Sequence, residues 1–266
     1  MYLFVFVLCI VVLYPSFVMT ITALKDTSEM YAADMTIFPK VWRWSNFIEV
    51  WSVAPLFKYF SNSMIIAFGA TILSLVCGIP AAYALVRMDF KWKPVYFAAI
   101  VVSQMFTPVI LLVGIYRVMV HMNMTDSLFG LILVNAAFNQ AFTVWLLRGT
   151  FQSIPFEMEE AAYTDGCTRL QSLFRILLPQ AAPGIVTVFI YVFIEVWNEY
   201  SIALTLITTE AIKPISVGIN AFSTYTTIEW QYLFSASLYA TIPVVILFIL
   251  VERHLITGLT AGGVKE

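Results

Sequence analysis

Glu160-Ala161-Ala162-Tyr163-Thr164-Asp165-Gly166-Cys167-Thr168-Arg169-Leu170-Gln171-Ser172-Leu173-Phe174-Arg175-Ile176-Leu177-Leu178-Pro179 is a polar, charged passage in a chain that is otherwise mostly apolar. Pro155 stands where a first helical position would be, its φ already set for a helix. Glu157, Glu159 and Glu160 follow in the early turns, where the helix dipole favours carboxylates. The pattern predicts a short helix from about 155 to 165. Gly166 can take the left-handed conformation that closes a helix cheaply, so the chain turns there. Beyond the turn, Leu170, Leu173, Phe174, Leu177 and Leu178 recur at i, i+3, i+4, i+7 and i+8, with Arg169, Gln171, Ser172 and Arg175 mainly off that stripe. A second, amphipathic helix is expected. A charged helix-turn-helix in such a chain needs something outside the membrane to grip it.

Across the whole chain, hydrophobic residues make up 61% of the 266 residues and charged ones 11%. With a mean hydropathy of +0.89, this composition belongs to the integral membrane class. Crossing the hydrocarbon takes about 20 largely apolar residues, and such runs lie at about 2–24, 62–86, 95–116, 127–147, 183–207 and 232–251. The chain therefore reads as one all-α membrane domain over 1–266, with the polar hairpin in a connection at about 149–182. Pro80, Pro108 and Pro243 lie inside spans and are kink candidates. Ala70, Ser74, Gly78 and Ala82 form a stripe of small residues that lets another helix approach closely. Trp42, Trp44, Phe47 and Trp51 form an aromatic cluster suited to an interfacial helix bracing the bundle. The connection at 208–231 is polar and contains Pro214 and Gly218.

Several classes of chemistry are missing. The chain has no G-x-x-x-x-G-K-[ST] loop to cradle ATP phosphates, no H-E-x-x-H and no G-x-S-x-G. Cys9, Cys77 and Cys167 imply neither a disulfide framework nor a metal site, and His121 and His254 stand apart near span ends. No catalytic, metal-ligating or cofactor-binding set is expected, and nothing suggests nucleic acid. If transport is active, its energy comes from a partner. Placing the 87–93 connection inside puts eight cations (Arg87, Lys91, Lys93, Arg148, Arg169, Arg175, Arg253, Lys265) against six outside (Lys25, Lys40, Arg43, Lys58, Arg117, Lys213). This is a positive-inside bias, concentrated in that short loop. The first span differs from a secretory signal peptide in having no basic leader and no evident small-residue cleavage site.

The spacing of Glu160-Ala161-Ala162, three residues, Gly166, nine residues and Ile176-Leu177-Leu178-Pro179 resembles the "EAA" loop of binding-protein-dependent ABC importer permeases. Asn62-Ser63, Ala81-Ala82-Tyr83-Ala84-Leu85, the run Val144-Trp145-Leu146-Leu147-Arg148-Gly149, Ser153-Ile154-Pro155, Trp197-Asn198-Glu199 and the tail from Gly258 to Lys265 are similar to the carbohydrate branch, which contains the maltose-type permeases. The resemblance covers nearly the whole chain from Asn62 onward. It implies a type I importer transmembrane domain of six helices in a prokaryotic plasma membrane, with both termini and the hairpin in the cytoplasm. It also implies a second homologous permease, two copies of an ATPase that hold ATP and Mg, and an external solute-binding protein that the 208–231 loop faces. The helix around 160–165 is then expected to dock in a groove on the ATPase. Ala161 and Ala162 would permit close contact, Glu160 would pair with a basic or hydrogen-bonding group, and Gly166 would fix the turn after Asp165. The second helix, with Ile176, Leu178 and Pro179, would lie against the bundle and carry the displacement. Family members usually have a basic stretch before the first helix, whereas this chain begins directly at apolar residues.

A passage for solute should be lined by polar residues at membrane depth, where they are costly. Gln104, Asn135, Asn139, Gln140, Asn198 and Glu199 qualify, with Tyr191, Trp197 and Tyr200 as faces for a sugar ring. For the amides, hydrogen bonding between helices is an equal alternative. Glu195 and Glu199 lie four apart on one helical face, and Glu195 stands where the family pattern leads one to expect a small or apolar residue. Together they raise a rival reading, a proton-coupled secondary transporter subunit. A third possibility is a structural membrane subunit without a path.

Overall fold

Long apolar runs in lipid satisfy their backbone polar groups internally, so they fold as helices. The computed structural model describes residues 2–263 apart from Ala33, Met35, Tyr225 and Thr226, and from 251 onward the helical backbone alone. In chain order the helices are α1 Tyr2–Ala23, α2 Thr27–Met30, α3 Asn46–Val53, α4 Leu56–Arg87, α5 Lys93–Ser103, α6 Pro108–His121 and α7 Leu128–Gln152. They continue with α8 Glu157–Thr164, α9 Arg169–Ser172, a π-turn Leu173–Leu177, α10 Leu178–Trp197, α11 Ser201–Leu206, α12 Ile215–Gly218 and α13 Trp230–Gly263. Among the described residues the only extended pairing is one isolated bridge, Ser223 with Ile228. Among the described residues, five helices are long and apolar enough to cross a membrane, or six when α5 and α6 count as one span. The all-α architecture of six spans expected from hydropathy is present.

Two of the six expected spans are not simple rods. The run at 95–116 divides into α5 and α6, which meet at a 103° bend. Pro108 cannot donate a backbone hydrogen bond, and it pushes Thr107 into an extended conformation (φ −70°, ψ 143°) that ends the helical path. The run at 183–207 is interrupted between Trp197 and Ser201, where α10 ends and α11 begins. Pro80 and Pro243, by contrast, lie within the unbroken α4 and α13.

The chain divides into two compact units, residues 1–63 with 209–245 and residues 64–208 with 246–266. In the first, Asn46 Nδ2 donates to the carbonyls of Ala23 and Lys25 at 2.8 and 2.9 Å. Tyr232 donates to Glu49 at 2.8 Å, and Tyr239 receives Trp51 and Phe47 edge-on. Trp42 and Trp44 stack on each other and stay exposed, so of the expected interfacial aromatic helix only α3 forms. Within this unit the stretch of the connection from Glu210 to Gly218 is pinned. Asn62 Nδ2 donates to Ala211 O and Lys213 O, both at 3.0 Å, and Ser63 Oγ accepts from Ile215 N at 2.8 Å. Tyr59 donates to Glu210 and packs where a Cβ on Gly218 would lie, 2.3 Å from its ring. Lys213 and Tyr59, both bonded to the Glu210 carboxylate, hold its pKa below the usual value.

The second unit is organised by the small-residue stripe. Ala70, Ser74 and Ala82 are wholly buried, Ser74 Oγ donates to Ala136 O at 3.2 Å, and a Cβ on Gly78 would meet Thr143 Cγ2 at 2.5 Å. Absence of side-chain bulk thus seats α4 directly against α7. Two turns further along α7, a Cβ on Gly184 would lie 2.3 Å from Thr150, so α10 approaches as closely.

Candidate functional site

The hairpin forms as a helix-turn-helix with sharply specified ends. α8 begins two residues later than expected, at Glu157, with three glutamates in its first turn. Gly166 adopts φ +87°, Gly166 N donates to Tyr163 O and Cys167 N to Ala162 O. These are the two bonds of a Schellman stop, which requires a left-handed residue at that position. Thr168 then caps α9 through a reciprocal box with Gln171. The second helix is not the separate amphipathic helix expected from the leucine spacing, because it runs through the π-turn into α10, the fifth span. Pro179 lacks the N–H that an α-helix would direct at Arg175 O, and Leu178 N bonds Leu173 O instead, opening the wider turn. That turn splits the stripe. Leu173 and Leu177 are buried, Ile176 and Leu178 are half-buried, and Leu170 and Phe174 are exposed. Helical period therefore misassigned two of the five apolar residues.

α8 shows a clear division of faces. Glu157, Met158, Glu160, Ala161, Thr164 and Asp165 are exposed, while Glu159 and Ala162 are buried and Tyr163 is half-buried. Ala162 therefore packs inward, and of the two alanines only Ala161 is presented outward. Glu159, which the pattern did not distinguish from its neighbours, is fully buried and bound by Arg87. Its signal was available in the i, i+3, i+4 spacing of Glu159, Ala162 and Tyr163.

The two broken spans meet a polar cavity of about 240 Å³ lined by Ser103, Gln104, Thr107, Asn135, Asn139, Tyr191, Glu195 and Glu199 together with Phe106, Pro108, Phe138, Phe142 and Ile202. Gln104 and Thr107 come from the α5–α6 break and Glu199 from the α10–α11 break. Glu199 accepts from Ile202 N and Ala203 N at 2.7 and 3.0 Å, so its carboxylate caps α11. Asn135 and Asn139 donate to the carbonyls of Leu131 and Asn135 in their own helix. Tyr191 stacks on Phe142 at 4.0 Å and lies within hydrogen-bonding reach of Glu195. Four of the expected pathway residues, Gln140, Trp197, Asn198 and Tyr200, do not line the cavity. With its amide nitrogen toward the Ser74 carbonyl, Gln140 donates there at 3.2 Å and accepts from Gly78 N at 3.0 Å, joining α7 to α4. Trp197 is buried and stacks on Phe193, and Asn198 is exposed at the end of α10. Among the described residues, no lysine or arginine lines the cavity.

A family described as binding-protein-dependent transport system inner membrane component matches residues 74–256, which include the hairpin and every cavity residue. The chain belongs to that family. Curated relatives extend the match over almost the full length. An inner membrane ABC transporter permease protein, YcjP, of Escherichia coli is 33% identical, covering 96% of this chain and 92% of the relative. The sulfoquinovosyl glycerol transport system permease SmoH of Agrobacterium fabrum is 32% identical over 95% of this chain and 89% of its own. The melibiose/raffinose/stachyose import permease MelC of Bacillus subtilis is 30% identical over 94% and 91%. Among solved structures, a chain of a bacterial ABC transporter that imports the acidic polysaccharide alginate superposes with a TM-score of 0.83 at 21% identity, covering 95% of this chain and 94% of that one. A chain of the MetNI methionine ABC transporter gives 0.63 at 17%, over 74% and 93%. The chain is a multi-pass permease subunit of an ABC importer. Nothing in the fold or the comparisons supports the proton-coupled alternative, and Glu199, one of its two carboxylates, is engaged by α11. The tail motif beginning at Gly258 continues α13 to Gly263, with its side chains and the last three residues outside the described set.

Proposed function

We propose that this permease imports a carbohydrate or related polyol, forming half of the passage beside a second homologous permease. The polar cavity at the two helix breaks carries the reading. Amides from Gln104, Asn135 and Asn139, the Glu195 carboxylate and the stacked Tyr191 and Phe142 rings offer the hydroxyl partners and apolar faces that a sugar requires. The sugar names of several relatives point the same way.

Two copies of an ABC ATPase, holding ATP and Mg, receive the outward face of α8 on the cytoplasmic side. Glu157, Glu160 and Asp165 make that face acidic, so a groove with basic groups suits it, and Ala161 leaves room for close approach. Gly166 fixes the turn, and Ile176, Leu178 and Pro179 form the passage back into the bundle. Closure of the ATPases then rocks the spans between two packed arrangements. An external solute-binding protein meets the 208–231 loop, both termini lie in the cytoplasm of a prokaryote, and this chain itself binds no cofactor.

The test is uptake into proteoliposomes containing the permease co-purified with its genomic partners, using labelled maltose, melibiose, raffinose and glycerol. Uptake of at least one sugar or polyol that needs internal ATP and the binding protein, and survives a protonophore, is expected. ATP-independent uptake driven by a proton gradient would overturn the reading.

A further inference from the structure

Glu159 has no exposed surface, and every contact it makes belongs to one node. Its Oε1 accepts from Arg87 Nε at 2.5 Å, and its Oε2 accepts from Tyr83 and Tyr163 hydroxyls at 3.2 and 3.3 Å. Arg87 is 10% exposed, and its Nη2 donates to Ile154 O at 2.8 Å while its guanidinium lies over the Phe156 ring at 5.4 Å. One arginine at the last position of α4 thus grips the carbonyl, ring and carboxylate of three residues that lead into and begin α8. Tyr83, one turn earlier in α4, holds the second carboxylate oxygen.

The other end of α8 is attached differently. Its route to α10 passes through Gly166, around which a Cβ would meet nothing within 4 Å, and then through a π-turn. π-turns interrupt the regular helical ladder and are common sites of helix kinks. The α4 side is a desolvated clamp in which one guanidinium bonds the Glu159 carboxylate through Nε and the Ile154 carbonyl through Nη2, and breaking it would strand a buried charge. The stiff attachment of α8 is therefore to α4, although its covalent continuation is α10.

We propose that the Arg87–Glu159 node is the joint that passes displacement of α8 to α4, so that α4 moves with α8 as one body while the Gly166 turn and the π-turn yield. Arg87 and Glu159 are positioning residues in this scheme. The proposal rests on the reading of α8 as the ATPase handle. It adds a route into the second span, and through the Gly78 contact into α7, which lines the cavity.

The experiment uses the complete importer in proteoliposomes. In Glu159→Gln and Arg87→Met, solute imported per ATP hydrolysed is expected to fall roughly tenfold or more, within the range of ordinary coupling energies, with complexes recovered at wild-type yield. Arg87→Lys, which keeps charge without the fork, should fall between. Wild-type import per ATP in both Glu159→Gln and Arg87→Met would overturn the proposal, whereas ATP-independent import by the unmutated complex would instead remove the functional reading beneath it. A second measurement does not depend on the node variants assembling. Spin labels at Met88→Cys and Thr164→Cys, with Cys9, Cys77 and Cys167 replaced by serine, should keep one separation with and without a non-hydrolysable ATP analogue. A change of about one helical turn, ~5 Å, would show that α8 slides on α4 and would sink the joint.

Discussion

Two carboxylates four residues apart on α10 and its end do different work. Glu199 spends both oxygens on backbone N–H groups of α11 and so holds the α10–α11 break in shape. Glu195 faces the cavity beside Tyr191, with no cation in the lining. Glu195→Gln should therefore leave complex assembly intact and lower uptake by roughly tenfold, about what one charged hydrogen bond to a hydroxyl contributes. Full uptake in that variant would remove Glu195 from the path. Asp26, in the other unit, gives a pH test. Hydrogen bonds from Ser28, then the Arg43 pair, lower its pKa to about 2 from an ordinary 3.8. A lowered folded-state value stabilises the fold above the unfolded value and is lost as pH falls through the folded one. The Asp26→Asn variant should therefore melt below wild type at pH 7 and converge with it between about pH 4 and 2. Because both partners are about a third exposed, the difference should stay under about 1 kcal/mol. A gap that widens on acidification would contradict the assignment.

The hairpin and the packed stripe make their own predictions at the level of elements. Gly166→Val places a β-branched residue at φ +87° in open space, so the cost is conformational, about 1–2 kcal/mol, and falls on the turn. Abundance should hold while import drops, and normal import would mean the turn's shape is irrelevant to coupling. Gly78→Val acts by another route, since its Cβ would lie 2.5 Å from Thr143 Cγ2 in the α4–α7 contact. Overpacking of this kind costs about 1–3 kcal/mol, and the thermal midpoint of the purified complex should fall accordingly. These elements were legible to different depths. Gly166 and the stripe could be read directly, because a left-handed turn and a close helix approach each demand one residue type. The breaks at 104–107 and 198–200 could not, because hydropathy averages over a window and is blind to where the backbone ladder is interrupted. Pro108 breaks its helix while Pro80 does not, and sequence treats them alike. The leucine stripe was legible in part: Leu173 and Leu177 turn inward, while Leu170 and Phe174 face away from this chain. Glu159 was hidden among like residues, since burial of one glutamate in three depends on where Arg87 arrives from 72 residues away.

For the whole molecule, the same helical chemistry has to serve two solvents, and exposure alone does not tell them apart. α1 is only 6% buried over its span, and α13 17%, whereas α7 reaches 50%. Side chains on α1 such as Val12 are exposed on an apolar helix, while Glu160 on α8 is exposed on an acidic face. A single lysine distinguishes the two surfaces. At Val12, near the middle of a 22-residue apolar helix, it costs about 2.5–3.5 kcal/mol of insertion free energy, so Val12→Lys should reduce the amount of chain in the membrane severalfold and reduce import only in proportion. Glu160→Lys removes no apolar contact and places a cation on an already hydrated acidic face, so membrane abundance should equal wild type. On the proposed docking, import should still fall steeply, because the basic groups of the partner groove would meet a like charge. Comparing import per inserted molecule separates the two surfaces: near wild type for Val12→Lys, strongly reduced for Glu160→Lys. Equal values for both variants would mean that the α8 face makes no charge-specific contact in the assembled importer.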